Sequence, residues 1–95
     1  MKITAVETIN LAEFPNVLWV HIHTDEGIVG LGETFYAVAP VAAHIHETCA
    51  AYLLGKNPLE IDKHSRYFLN TYLGFNSVGV EMRAASAIDI ALWDL

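Results

Sequence analysis

The chain has 95 residues, of which 54% are hydrophobic, with a formal net charge of -6 and one cysteine. The charge argues against nucleic-acid binding, because Lys2, Lys56, Lys63, Arg66 and Arg83 are scattered and form no basic footprint. No run of about eighteen uncharged apolar residues is present to span a bilayer, and a lone Cys49 cannot form an internal disulfide.

A single small domain in a reducing, cytoplasmic setting is therefore expected. Met1-Lys2 leads into an alternating pattern, not into a signal peptide's apolar region. The mean hydropathy of +0.35 is high for so short a chain. Some apolar surface is expected to meet a partner.

Lys2 to Leu11 reads as a strand, with Ile3, Ala5, Ile9 and Leu11 on one face and Glu7 as the misfit. Pro15 and Asn16 break it in the stretch Ala12 to Asn16. Val17 to Thr24 is the clearest strand, with Leu18, Val20 and Ile22 against Trp19, His21 and His23. Asp25-Glu26-Gly27 is a hairpin turn, and Ile28 to Glu33 pairs back. Gly30 and Gly32 weaken that strand but permit close approach by another element.

Thr34 to Ala39 is a loop. Pro40 opens a helix to Leu54 with an apolar stripe of Val41, Ala42, Ile45, Cys49, Tyr52 and Leu53, and Gly55 caps it. Asn57-Pro58-Leu59-Glu60 has the pattern of a second helix start, with Asn57 as the cap. Ile61, Ser65, Phe68, Leu69 and Tyr72 then recur at helical spacing. Leu73 to Gly79 reads as a loop.

Val80 to Leu95 is a third helix. Ala84, Ala85, Ile88, Ala91, Leu92 and Leu95 form one apolar set, and Ala87, Ile90 and Trp93 a second. So apolar a helix is expected to be buried on nearly all sides. Strands followed by helices give an α+β class: a three-stranded antiparallel meander, then a three-helix bundle.

The chemical signals are sparse. His21 and His23 share a strand face, but no third ligand stands at a motif-like spacing, so a polar sheet face is the simpler reading. His44 and His46 are two apart on a helix, which separates them, and His64 reads as a helix-surface or interface residue. Asp25 and Glu26 are turn formers. Glu33 is expected to satisfy nearby donors, and Asp89 to anchor the last helix to a neighbouring loop. No catalytic or metal-ligating constellation is assigned. The loops carry more: Phe14, Asn16, Phe35, Tyr36, Phe75 and Asn76 place aromatics and amides at irregular positions.

Three stretches resemble one family. The hairpin from His23 to Glu33, the turn Gly55-Lys56-Asn57-Pro58 followed by Ile61, and Ala84 to Leu95 are similar to the N-terminal capping domain of the enolase superfamily, mandelate racemase/muconate lactonizing enzyme type. The resemblance covers essentially the whole chain. It implies that the protein continues past Leu95 into a TIM-like barrel, with the 1–95 segment as capping domain.

In that family the barrel carries the bases and the ligands of Mg²⁺. The chemistry is proton abstraction next to a carboxylate. The resemblance therefore implies no catalytic residue and no metal ligand in this segment. Its part is two substrate-closing loops, Ala12–Val17 and Thr34–Ala39, with Phe14, Asn16, Phe35 and Tyr36 as specificity residues and the 73–79 loop nearby. The short first loop resembles that of acid-sugar dehydratases of the galactonate or mannonate type. A racemase, epimerase or cycloisomerase is the alternative within the superfamily, and a homo-oligomer is expected. A free-standing binding or assembly module is the alternative from another class. The cap reading predicts an exposed apolar face around Ile88, Leu92 and Trp93.

Overall fold

The computed structural model describes residues 1–73 and 79–95, with the side chains of 71–73 left aside. The 74–78 part of the predicted 73–79 loop, with Phe75 and Asn76, lies outside the described residues. Strands β1 (Ile3–Ile9), β2 (Val17–Thr24) and β3 (Val29–Phe35) form an antiparallel sheet in the order β1-β2-β3. Helices α1 (Val38–His44) and α2 (Ala50–Leu53) are joined by a π-helical turn (Ile45–Cys49) into one helical arm. Helices α3 (Ile61–Leu73) and α4 (Val80–Asp94) complete the chain. The α+β meander with three helical stretches is as expected from the sequence. Among the described residues, no helix is long and apolar enough to cross a membrane.

The helical arm and α4 pack on one face of the sheet, and α3 packs against α4. Ile3, Leu18, Val20 and Ile22 face Val41, Ile45, Cys49 and Leu53 from the helical arm, Phe68 from α3, and five residues of α4. Burial pushes the Cys49 thiol up to about 12, so it is a core residue and not a nucleophile. Gly30 and Gly32 do what their spacing implies. A methyl group on Gly30 would enter the carbonyl oxygen of Ala91, and one on Gly32 that of Ala87. The backbone of α4 therefore lies directly on β3, and the small Ala84, Ala87 and Ala91 permit that depth.

Four expectations are corrected. First, β1 does not keep one face. Its register slips between Ile3 and Ala5, and a bulge of this kind moves every later side chain to the opposite face. Ile3 is buried and Val6 packs on the core, whereas Ala5 is exposed and Glu7 lies opposite His21 on the outer face. The strand ends at Ile9.

Second, α3 starts at Ile61. Asn57 accepts the amide of Leu59 at 3.0 Å and closes a turn before the helix, while the Glu60 carbonyl accepts the His64 amide at 3.1 Å. Third, His64 is fully buried. Its Nε2 stands 2.8 Å from the Asn57 carbonyl and its Nδ1 2.9 Å from the Tyr52 hydroxyl. With the proton on Nε2, both contacts are satisfied, and His64 ties the helical arm to α3.

Fourth, α4 is not covered all round. Ala84, Ala87, Ile88, Ala91 and Leu92 are buried, but Ile90 is 49% and Trp93 71% exposed. Ile88 and Leu92 thus belong to the domain's own core, and the exposed apolar face is Ile90 and Trp93.

Candidate functional site

The two predicted loops meet. Val17 pairs with Phe35, so the β1–β2 connection and the end of β3 lie at one end of the sheet. The Tyr36 amide donates to the Asn16 carbonyl at 2.7 Å. Asn10 closes the first loop from inside. Its side-chain amide lies 2.8 Å from the Val17 carbonyl, 3.3 Å from that of Phe14 and 3.4 Å from that of Pro15. Further amides reach back from Phe14 to Leu11 and from Val17 to Phe14. A short loop is thereby fixed without a packed core of its own.

The second loop turns on two residues in the left-handed region, Tyr36 at φ 73° and Ala37 at φ 52°. Neither is glycine, so each conformation costs about 1–2 kcal/mol, which the surroundings must hold. Phe35 is the last residue of β3, not a loop residue as expected from the sequence. Arg83 in the first turn of α4 donates to the Phe35 carbonyl, and its guanidinium stands 5.6 Å from the Tyr36 ring centroid.

Phe14, Phe35 and Tyr36 remain exposed, as does Asn16. Phe14 meets Trp19 edge-to-face, with ring centroids 6.2 Å apart. The Trp19 indole donates to Glu33 at 2.9 Å. Glu33 thus satisfies a side-chain donor on the neighbouring strand. The result is a set of exposed aromatic side chains rimming one end of the sheet, on a braced backbone. Such a surface can hold a small polar ligand between apolar walls.

Sequence reasoning missed Asn10 and Arg83. Arg83 had a signal: a cation in the first turn of an apolar helix opposes the helix dipole and so calls for a tertiary partner. The Asp89 expectation is also revised. Among the described residues it is Asp94, not Asp89, that anchors α4, accepting the Leu31 amide at 2.9 Å. Asp89 lines a shallow hollow of about 200 Å³ between α3 and α4, with Ser65, Phe68, Leu69 and Leu92.

Away from the rim, Glu7 bridges His21 and His23 across the outer sheet face. Among the described residues, this is the group with three or more side chains able to hold a metal ion. Two imidazoles and one carboxylate do not suit Mg²⁺, which takes an all-oxygen shell.

These features define an α+β N-terminal domain of the enolase superfamily. The sequence pattern described as "Mandelate racemase / muconate lactonizing enzyme, N-terminal domain" matches residues 2–95, and the chain belongs to that family. Its relatives include a D-xylonate dehydratase of Haloferax volcanii, 36% identical over 99% of this chain and 23% of that protein. A D-galactonate dehydratase of Xanthomonas campestris pv. campestris is 37% identical over 100% of this chain and 24% of that protein. A crystal structure of an enolase of the mandelate racemase subgroup from Agrobacterium tumefaciens superposes with a TM-score of 0.91 at 52% identity. The match covers 98% of this chain and 26% of that one. The chain thus spans about a quarter of the length of the relatives it matches.

Proposed function

We propose that this chain is the substrate-capping and specificity domain of a Mg²⁺-dependent enzyme that dehydrates a sugar acid. The partner is a C-terminal barrel domain of the same protein, which holds the ion and the bases. In that chemistry the base removes the proton next to the carboxylate, and Mg²⁺, when bound, stabilises the enediolate charge. This chain's own residues bind, orient and exclude water.

One observation carries the reading: two loops far apart in sequence join through Tyr36 N–H and the Asn16 carbonyl into a single exposed aromatic rim. Phe14, Phe35 and Tyr36 are its walls, and Asn16 is its polar element. The strained pair at Tyr36 and Ala37 supports it, since such strain concentrates at functional loops. The exposed Ile90 and Trp93 on α4 are the apolar surface suited to the barrel junction. Dehydratase relatives favour a sugar acid.

The test uses the full-length protein with Mg²⁺ and a panel of sugar acids, following the 2-keto acid product. Turnover of at least one is expected, with Tyr36→Ala and Phe14→Ala raising KM by about tenfold, the loss of one good substrate contact. No turnover of any acid, or loop variants with unchanged kcat/KM, would count against the proposal.

A further inference from the structure

The outer face of the sheet carries a second chemical group. The β1 bulge places the Glu7 Cα opposite that of His21, with His23 two residues further along β2. Glu7 Oε1 lies 3.0 Å from His23 Nε2 and 3.4 Å from His21 Nδ1. The three donor atoms lie within 4.8 Å of one another.

Donors around a metal at about 2.1 Å stand about 3.0 Å apart in octahedral and about 3.4 Å in tetrahedral geometry. Both carboxylate-to-imidazole distances are therefore at coordination spacing already. Only the two imidazoles must close further, and their side chains are 30% and 37% exposed, on a torsion whose energy well is broad. All three residues stand on paired strands, where Cβ directions are fixed, so the site needs no loop to order around it.

We infer that Glu7, His21 and His23 form a surface site for a divalent transition metal of the zinc class. Two imidazoles and one carboxylate select borderline metals over Mg²⁺ and Ca²⁺. The three donors occupy one side of the ion, which leaves its outward positions for water or an external ligand. Bound metal would join β1 to β2 just past the bulge, where their register has slipped. The inference rests on strand register and donor geometry and is independent of the proposed catalytic role.

A simple ion pair between Glu7 and two histidines has the same geometry without metal, and experiment separates the two. The full-length protein, stripped of metal and held in millimolar Mg²⁺ to saturate any magnesium site, is titrated with Zn²⁺ against a chromophoric competitor. One equivalent is expected whose affinity falls by about tenfold or more in Glu7→Gln, His21→Asn and His23→Asn, and is unchanged in His46→Gln. In the wild-type protein the imidazole NMR signals of His21 and His23 are expected to shift together and saturate at one equivalent. The inference is overturned if the triad variants bind zinc as the wild type does, or if those two signals do not move.

Discussion

The two faces of one sheet obey different rules. On the inner face of β3, Gly30 and Gly32 leave no room at all, because the carbonyls of Ala91 and Ala87 occupy the space of a side chain. On the outer face of the same strand, the Leu31 side chain is 52% exposed. The inner face is built from apolar and small residues matched to one helix, so its sequence is dictated by packing. The outer face carries Glu7, Trp19, His21, His23 and Glu33, paired with each other across the strands. Packing leaves those positions open to other chemistry.

The sharpest way to break the contrast is a single methyl group. Gly32→Ala or Gly30→Ala must lift the α4 backbone off the sheet, because the obstacle is a carbonyl and not a flexible side chain. A loss of about 3 kcal/mol or more is expected in urea unfolding. A loss below about 1 kcal/mol would mean that α4 shifts freely and that the inner face is less constrained than its geometry indicates. Next in size is a matched pair. Ile22→Ala, at a fully buried inner position, is expected to cost about 3 kcal/mol. Leu31→Ala, on the outer face of the neighbouring strand, is expected to cost about 0.5 kcal/mol. Equal losses in the two variants would erase the distinction between the faces.

Legibility in the sequence follows the same division. Periodicity located the strands and α4 because alternation and apolar spacing are imposed by burial on the inner side. The Gly30 and Gly32 spacing announced the close approach before any helix was placed on it. The β1 bulge was not legible as such, since an alternating pattern in one strand holds no record of its partner's register. Its trace was Glu7, the one misfit on an otherwise apolar face. Once the face flips, Glu7 becomes the third member of the histidine pair, which a search along a single strand could not reach. His64 was missed for a related reason: its burial depends on Tyr52 and Asn57, which supply both of its polar contacts from other parts of the chain. Phe14, Asn16 and Tyr36 were legible as loop aromatics and an amide, and Phe35 as an aromatic, though it ends β3 and is not in the loop. Their meeting depended on the strand register, and the braces Asn10 and Arg83 became visible only with it.

A smaller effect separates what holds the rim from what the rim does. Tyr36 is exposed and sits at φ 73°, where Asn is tolerated better than Tyr. Relief of about 1 kcal/mol of backbone cost is opposed by the loss of the Arg83 contact, about 0.5 kcal/mol. Tyr36→Asn is therefore expected to gain about 0.5 kcal/mol of stability and, on the proposed capping role, to weaken substrate binding in the full-length protein. Thermal unfolding and KM measured on the same variant check it. A gain in stability with unchanged KM would make the strain a mere imperfection of the turn.

The smallest expected effect is the pH response of the outer face. The hydrogen bond from His23 is the main influence holding the Glu7 carboxyl below its ordinary 4.5; desolvation opposes it, and the charges of His23 and His21 add to the lowering. A carboxyl lowered in the folded state adds stability that is fully present above pH 4.5 and is lost as pH falls through the folded value. The wild-type advantage over Glu7→Gln is therefore expected to shrink as pH is lowered from 6 to about 3, and His23→Asn should narrow it in the same window. Because Glu7 is solvent-exposed, salt is expected to weaken the effect further. Inner-face variants such as Ile22→Ala carry no such titration. Their deficit is expected to hold nearly constant over the same range, and a deficit that moved with pH would mean that the two faces are coupled through β2.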